Sequence, residues 1–376
     1  MQVSLQRVRV AGTGAFLPNA PVPQAELEQV LGALPEAPQR VKAFVENMGP
    51  RILRDIDIET RHFAVDRETH RLTHTIVSLA EPAARQALEA AGRRPDDVEL
   101  LILAAPSYDY STPPSSALLQ ERLGIQQCAE IEVHSNCSGV GKAVQIAGDA
   151  LRLGRYRTAL VVYSQLSSVY VRNCYFNQAQ MNKTQAALRY ILADGSGALL
   201  LEAAQPGQNG APAHEVLGTY LESVGTGRKP GMTAGGGIAD LVAPDSQIPG
   251  LFEKGCHHLD QDFTAVGRDA VPLLLQGTLR MLASLGLDSR RIDHYVYSIP
   301  GRQLYEANLE KVTSTLGVTP AQVQFRAQRT GYVGGASILI HLDEMVRSGE
   351  LRPGQLAVVY SVESSKWMSG GFVVRW

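Results

Sequence analysis

The sequence is poor in cysteine, has no excess of charge of either sign and has no long apolar run. It contains four cysteines and no CxxC or CxxH pair, so we expect no bound metal. Lys and Arg number 35 against 37 Asp and Glu, a net charge of −2, which argues against nucleic acid or an anionic membrane as a partner. No stretch reaches about 18 apolar residues, so no transmembrane helix is predicted.

The remaining composition is typical of a globular chain. Hydrophobic residues make up 44% and charged residues 19% of the 376 positions, which excludes a disordered chain and a coiled coil. The length predicts two domains or one large two-part fold. Residues 1–20 lack a long apolar run after a basic start, so we expect no signal peptide and a cytoplasmic protein with reduced thiols.

The two halves of the chain repeat one another at an offset of about 195 residues. An apolar strand ends at Pro106 in the first half and at Pro300 in the second. Each is followed by a helix closed by Leu-Gly, a glycine-rich turn, a second helix and the strand sequence VVYS. Residues 78–92 correspond in the same way to residues 270–286. This order predicts a duplicated α/β domain with helices packed on two mixed sheets.

The repeat divides the chain into an N-terminal half, residues 1–205, and a C-terminal half, residues 206–376. Residues 166–190 and the variable region 206–262 are irregular, and the second of these segments is rich in Gly and Pro. Long connections in a compact fold are often functional, so we expect a substrate tunnel or a dimer contact there.

Cys137 lies where an apolar strand runs into a helix predicted over residues 137–153. At a helix N-terminus, the dipole and the free N–H groups favour a thiolate, lower its pKa and can bind the oxyanion of a thioester intermediate. A buried structural cysteine is also common at such a turn, so both roles stay open. The helix and its counterpart, 335–348, begin with Gly and Ala, which predicts close helix–helix packing at the centre.

Several segments spread along nearly the whole chain share their order with one known family. They include VAGTGAFLPNAPVPQAELEQVLG, NCSGVGKAVQIAGDAL, ILADGSGALLLEA and PGQLAVVY…SGGFVVRW. Together they resemble the thiolase superfamily and, within it, the ketoacyl-ACP synthase III group. The resemblance implies a five-layered αβαβα fold, usually a dimer, with Cys137 as the nucleophile. It also implies an acyl-ACP or acyl-CoA thioester as substrate and no bound cofactor.

The catalytic segments of that family are altered in this sequence. Gly301 stands where the condensing members have a histidine, and Tyr332 stands at the matching place of their asparagine. In the C-terminal loop that supplies an oxyanion N–H, the first glycines are replaced by Glu363, Ser364 and Ser365. The missing histidine and asparagine stabilise the enolate formed when a malonyl thioester loses carbon dioxide, so their loss argues against decarboxylative condensation.

The sequence therefore predicts an acyltransferase or condensing enzyme of specialised metabolism, in polyketide or fatty-acid-derived biosynthesis. Cys137 takes an acyl group from ACP or CoA and passes it to a non-malonyl oxygen, nitrogen or acidic carbon without decarboxylation. By resemblance, the backbone N–H groups of Cys137 and Ser364 bind the oxyanion. The resemblance also places four side chains at the pocket wall, those of Tyr332, Ser298, Arg302 and Glu363.

Other polar residues have both a catalytic and a structural interpretation. His257 and His258 precede the predicted helix 270–286, and each is either a displaced catalytic base or a solvated loop residue. Asp194 lies in the turn ADGSG, where a short carboxylate typically accepts hydrogen bonds from backbone N–H groups of the turn. We interpret it as structural.

Two other functions remain open from the sequence. The loss of the histidine and asparagine also fits a non-catalytic or partner-dependent subunit of a heteromeric ketosynthase, which would form a heterodimer with a homologous synthase instead of a homodimer. The third possibility is a decarboxylative ketoacyl-ACP synthase in which His257 or His258 is the base.

Overall fold

Short apolar segments between turns form the strands, and LLILAA is buried along its whole length, as expected for a strand covered on both faces. The computed structural model describes residues 5–204, 213–242 and 247–376. The strands are β1 (Val8–Phe16), β2 (Val22–Pro23), β3 (Thr60–Arg61), β4 (Leu100–Ala105), β5 (Ala129–His134), β6 (Thr158–Leu166), β7 (Asp194–Ala203), β8 (Glu215–Ser223), β9 (Met232–Thr233), β10 (Asp260–Gln261), β11 (His294–Tyr297), β12 (Leu356–Glu363) and β13 (Met368–Arg375). The helices are α1 (Leu27–Leu31), α2 (Gln39–Ile56), α3 (Ile76–Ala90), α4 (Ser115–Leu123), α5 (Gly139–Arg152), α6 (Ser168–Val171), α7 (Lys183–Leu188), α8 (Ile248–Glu253), α9 (Phe263–Ser284), α10 (Arg302–Leu316) and α11 (Ala336–Arg347).

The long strands follow one another in the order β11-β12-β13-β8-β1-β7-β6-β4-β5. Two parts of this sheet meet at a single residue pair, Arg9 of β1 and Glu215 of β8. In the first part β7 is antiparallel to β1 and β6, whereas β4 is parallel to β6 and β5. In the second part β13 is antiparallel to β8 and β12, and β11 is parallel to β12. Both parts of the sheet therefore have the same pattern of parallel and antiparallel pairing, and the first part has β5 as an additional edge strand.

The helices form two outer layers and a central layer. Helix α3 packs on β1, β7 and β6, and α9 packs on β12, β8 and β13. The central helices α5 and α11 each contact strands of both parts of the sheet, and their apolar residues join the inner faces of both parts in one core. The layers thus follow the order αβαβα, and the predicted fold class is confirmed.

Two equivalent helices end as the sequence predicts. Helix α4 ends before Gly124 and α10 ends before Gly317, and these glycines have φ of 77° and 69°. Glycine closes a helix in this left-handed region with less strain than residues that carry a side chain. The Leu-Gly pattern therefore identified both helix ends.

The glycines at the starts of the central helices do not serve helix–helix packing, so that prediction is wrong. A Cβ on Gly141 would lie 2.6 Å from backbone atoms of Gly370 in β13. A Cβ on Gly139 would lie 2.9 Å, and one on Gly335 2.6 Å, from ring atoms of Tyr163. The missing side chains therefore make room for a strand and for one aromatic ring that lies against the starts of both helices.

The segments predicted to be irregular contain short elements. Residues 166–190 include α6 and α7, and the described part of 206–262 includes β8, β9, β10 and α8. Residues 205–212, which contain the predicted boundary between the halves, and residues 243–246 lie outside the described residues. Within the described ranges, none of the helices combines the length and the apolar composition needed to cross a membrane.

Candidate active site

Cys137 lies in the turn between β5 and α5, two residues before the helix begins. Its sulfur is 3.3 Å from the hydroxyl oxygen of Tyr332, which lies in the equivalent turn before α11. Both side chains are half-buried and line a cavity of about 840 Å³. The duplication therefore brings together one residue from the same place in each half.

Burial raises the pKa of the Cys137 thiol to about 11. The hydrogen bond from Tyr332 favours the thiolate and opposes this effect, whereas the negative charge of Glu363 adds to it. The backbone N–H at the helix start also lowers this pKa, as predicted, but the loss of solvent outweighs all these donors, so the predicted net lowering is not found. Cys137 is consequently a protonated thiol at neutral pH.

Tyr332 is a neutral phenol held in a fixed position. Burial raises the pKa of its hydroxyl well above the ordinary value. Its carbonyl oxygen accepts a hydrogen bond of 2.9 Å from the backbone N–H of Ala193. Nearby, the Ser298 hydroxyl donates to the Gly334 carbonyl at 2.7 Å and fixes the start of the next helix. A protonated phenol beside the sulfur is a hydrogen-bond donor for an oxygen atom that arrives there.

Glu363, the last residue of β12, is buried beneath the cysteine turn with 2% of its surface exposed. Its carboxylate accepts hydrogen bonds from the hydroxyls of Ser135 at 2.7 Å and Ser138 at 2.6 Å, and from that of Ser365. Burial raises the pKa of Glu363, but these hydrogen bonds and the charge of Lys142 outweigh it and lower the pKa overall. An ionised carboxylate thus ties the cysteine turn to the hairpin between β12 and β13.

Sequence reasoning missed the residues that hold this carboxylate. Ser135 and Ser138 flank the cysteine in the segment HSNCSG, and Lys142 follows on the first turns of α5. The Lys142 ammonium donates to the Ser135 hydroxyl at 2.8 Å. The signal available in the sequence was the cluster of small polar residues around a cysteine, between an apolar strand and an apolar helix.

The structure brings four of the predicted pocket residues to the cavity and leaves others outside it. Ser298, Tyr332, Glu363 and Ser364 line the cavity together with Cys137. The assignment of oxyanion binding to two backbone N–H groups stays a prediction.

Arg302 does not line the cavity. Its guanidinium donates to the carboxylate of Asp57 and lies over the ring of Phe325, 5.1 Å from the ring centroid. Its neighbour Gly301 does line the cavity, at the place of the histidine in the resembled family. The ion pair therefore turns the arginine away from the cysteine.

Neither His257 nor His258 is part of the cavity wall. His258 is buried, with Nε2 accepting from the backbone N–H of Asn177 at 3.0 Å and Nδ1 lying 3.1 Å from the amide oxygen of Gln185. His257 bonds through Nε2 to the Tyr175 carbonyl at 2.8 Å. This geometry does not support the predicted role of either histidine as a displaced base, because both rings are hydrogen-bonded to residues of the segment 173–185.

Among the described residues, His134 is the one histidine in the cavity wall. It is exposed, and its Nε2 lies 3.0 Å from the Pro106 carbonyl oxygen. Within the same described ranges, no group of three or more His, Cys, Asp or Glu side chains is arranged to hold a metal ion.

Asp194 is structural, but its partners are not in its own turn. Its two carboxylate oxygens accept from the backbone N–H groups of Ala64 at 2.7 Å and Ser168 at 2.8 Å. The residue is fully buried, and burial raises its pKa to about 6 against the effect of these hydrogen bonds. Asp194 thus joins two distant segments to the start of β7.

The layered fold, with a cysteine before the first central helix, defines a protein of the thiolase superfamily. Residues 131–225 match the family 3-oxoacyl-(acyl-carrier-protein) synthase III, and residues 282–376 match its C-terminal domain, together about half of the chain. The chain belongs to this ketoacyl-ACP synthase III-like family, as its resemblance predicted. Members transfer or condense acyl groups carried as ACP or CoA thioesters without a metal cofactor, so the protein is a transferase.

Several solved structures share the fold over nearly the whole chain. AbyA1, described as a tetronic acid condensing enzyme, is 24% identical, with a TM-score of 0.76 over 98% of this chain and 100% of AbyA1. FabH from Pseudomonas aeruginosa PAO1 is 21% identical, with a TM-score of 0.75 over 98% of each chain. A variant of OleA from Xanthomonas campestris is 19% identical, with a TM-score of 0.77 over 99% of each chain.

Proposed function

We propose that this protein accepts an acyl group on Cys137 from an ACP or CoA thioester and passes it to a non-malonyl acceptor without decarboxylation. The observation that carries the proposal is the 3.3 Å contact between the thiol and the Tyr332 hydroxyl inside the cavity. The cysteine of the family is retained, whereas Gly301 and Tyr332 replace the pair that stabilises a malonyl-derived enolate.

The first step is a thioester exchange. The Cys137 sulfur attacks the donor carbonyl, the carbon–sulfur bond to the carrier breaks, and the carrier leaves as a thiol with the proton that Cys137 gives up. During the attack the carbonyl oxygen becomes negative, and the neutral Tyr332 hydroxyl is placed to donate to it, together with the backbone N–H groups of Cys137 and Ser364.

The second step returns the thiol. An acceptor hydroxyl, amine or acidic carbon attacks the acyl-enzyme, a bond to the acyl carbon forms, and the Cys137 sulfur leaves and takes up the proton lost by the acceptor. Because the cavity offers no imidazole at position 301, an acceptor that supplies its own nucleophile fits better than a malonyl thioester.

Intact-mass measurement after incubation with a panel of acyl-CoA and acyl-ACP thioesters tests the proposal. The expected result is a stable mass gain equal to one acyl group, absent in Cys137→Ala. The same mixture with labelled malonyl-ACP should release no carbon dioxide. Acylation that persists in Cys137→Ala, or decarboxylation by the unaltered protein, would overturn the proposal.

A partner-dependent subunit is the second candidate, because the raised pKa of Cys137 and the replaced histidine leave the thiol without an evident base. For the leading proposal we infer a homodimer, as is common among relatives, whereas this candidate requires a heterodimer with an intact synthase. No mass gain with any donor alone, but turnover after co-purification with a homologous synthase, would favour it. The third possibility, a displaced base at His257 or His258, has no support in the positions of those rings.

A further inference from the structure

His134 is the last residue of β5 and lies three positions before Cys137. Because a fully extended chain advances about 3.6 Å per residue, the Cα atoms of these two residues are at most about 11 Å apart. Ser135 and Asn136, the residues between them, also line the cavity. The imidazole and the sulfur therefore belong to one continuous stretch of the cavity wall, and the ring lies beside the space in which an acceptor approaches Cys137.

The imidazole of His134 is held by a hydrogen bond that leaves one ring nitrogen free. Nε2 lies 3.0 Å from the carbonyl oxygen of Pro106, the residue that follows the neighbouring strand β4. Because a carbonyl oxygen only accepts hydrogen bonds, Nε2 carries the proton, and Nδ1 of the neutral ring keeps its lone pair. Among the residues that the structure describes, none is hydrogen-bonded to Nδ1. The ring of Tyr108 packs edge-on against the imidazole, with 6.1 Å between the centroids, so the ring has a defined position and one unused acceptor.

The other titratable groups of the cavity wall are poorly suited to take up a proton. Burial raises the pKa of Glu363, but hydrogen bonds from three serine hydroxyls contribute to a net lowering, so the carboxylate is ionised and a weak base. The Lys366 ammonium donates to the Arg228 carbonyl and has no lone pair. Burial raises the pKa of the four tyrosines of the wall, which are Tyr170, Tyr297, Tyr305 and Tyr332. Within the described ranges, His134 is therefore the one side chain of the wall that offers a free basic nitrogen.

His134 is also accessible to an acceptor. The residue is exposed, whereas Glu363 is buried, so a molecule that enters the cavity from solvent can contact the imidazole without displacing protein groups. A hydroxyl or a carbon acid becomes a strong nucleophile only as it loses its proton. A base that contacts the acceptor directly or through one water typically increases the rate by about 10²–10⁴-fold.

We propose that His134 is the base of the second step, in which the acyl group leaves Cys137. Nδ1 takes the proton of the acceptor while the acceptor attacks the acyl carbon, and the imidazolium then gives this proton to the departing Cys137 sulfur. The bond from the acceptor to the acyl carbon forms, the carbon–sulfur bond breaks, and the ring ends neutral. This inference rests on the proposed function and supplies the base that the replacement of a histidine by Gly301 leaves missing.

The test starts from the acyl-enzyme after excess donor has been removed, and it measures the loss of the acyl mass with time. Water and ethanol are the acceptors, and hydroxylamine, which attacks a thioester without the help of a base, is the comparison. In His134→Gln, discharge to water and to ethanol should be about a hundredfold slower, whereas discharge to hydroxylamine should not change. His134→Gly should regain part of the lost rate when free imidazole is added, which a purely structural role would not produce.

His294→Gln is the matched control, because the Nε2 atom of this half-buried histidine lies 3.3 Å from the Gln355 amide oxygen and the residue is outside the cavity wall. It should discharge at the rate of the unaltered protein. Equal discharge to water and ethanol by His134→Gln and by the unaltered protein would refute the role of His134. An equal slowing with hydroxylamine would also overturn it, since that result indicates a damaged site. Failure of every donor to acylate Cys137 in the unaltered protein would instead refute the proposed function.

Discussion

The raised pKa of Cys137 predicts slow reaction with iodoacetamide. Its value of about 11 compares with 9.0 for an ordinary cysteine thiol. At pH 8 the thiolate fraction is then roughly one in a thousand, against roughly one in ten for the ordinary thiol. Because only the thiolate reacts, alkylation of Cys137 should be roughly a hundredfold slower than that of an unperturbed thiol, and it should rise tenfold per pH unit up to pH 10.

Two substitutions should shift the dependence of the Cys137 alkylation rate on pH in opposite directions. Glu363→Gln removes the negative charge that disfavours the thiolate. The inflection of the alkylation rate as a function of pH should therefore move to lower pH, and alkylation at pH 8 should be faster. Tyr332→Phe removes the hydrogen bond that favours the thiolate, so the inflection should move to higher pH. A general loosening of the site would not produce shifts of opposite sign.

The assay is quantification of the alkylated peptide that contains Cys137, because Cys174 and Cys256 are exposed and will also react. Glu350→Gln is the control, since that carboxylate pairs with Arg326 and does not line the cavity. An inflection at or below pH 9 in the unaltered protein would refute the argument from burial. Shifts of the same sign in both variants would refute the assigned roles of the carboxylate and the phenol.

Three further predictions concern the fold and the altered site. Asp194→Asn should lower the free energy of unfolding in urea by about 1–3 kcal/mol, because one of two backbone N–H groups loses its acceptor. The pKa of Asp194 in the folded protein, about 6, lies above the ordinary 3.8, so the free energy of unfolding should fall as the pH rises through this interval. This pH dependence should be absent in Asp194→Asn. Gly141→Ala should destabilise by roughly 1–3 kcal/mol in thermal unfolding, whereas Gly267→Ala, which meets open space, should stabilise by up to about 1 kcal/mol. The double variant Gly301→His, Tyr332→Asn should release carbon dioxide from labelled malonyl-ACP, although a Cβ at position 301 lies only 3.3 Å from Ile56. If the folded double variant releases none, the loss of the histidine and asparagine is not the cause of the missing decarboxylation.

The features that the sequence predicted are those encoded locally. Leu-Gly pairs marked the ends of α4 and α10, and a cysteine between an apolar strand and a glycine-rich helix marked the turn that faces the cavity. The repeat of apolar strands and helices was sufficient to predict the layers, because each local pattern occurs twice in the same order. Family resemblance then supplied the place of the nucleophile.

The features that the sequence did not predict depend on partners that are far away along the chain. Glu363 receives hydrogen bonds from serines more than 220 positions away, so no local pattern reveals its charge or its effect on the thiol. His258 was a candidate base only by its place in the chain, and its neighbours in segment 173–185 decide where the ring lies. The sign of the Cys137 pKa shift was missed for a related reason, since burial depends on the whole fold.

The ring of Tyr163 has a consequence for any attempt to separate the two halves of the duplication. It belongs to β6 of the first half, yet it lies against a glycine at the start of a central helix in each half, Gly139 and Gly335. A fragment that ends after β7 would expose one face of this ring, and a fragment that begins at β8 would leave an aromatic-sized gap beside Gly335. The two halves are therefore mutually dependent, and division of the chain into two fragments should destabilise both.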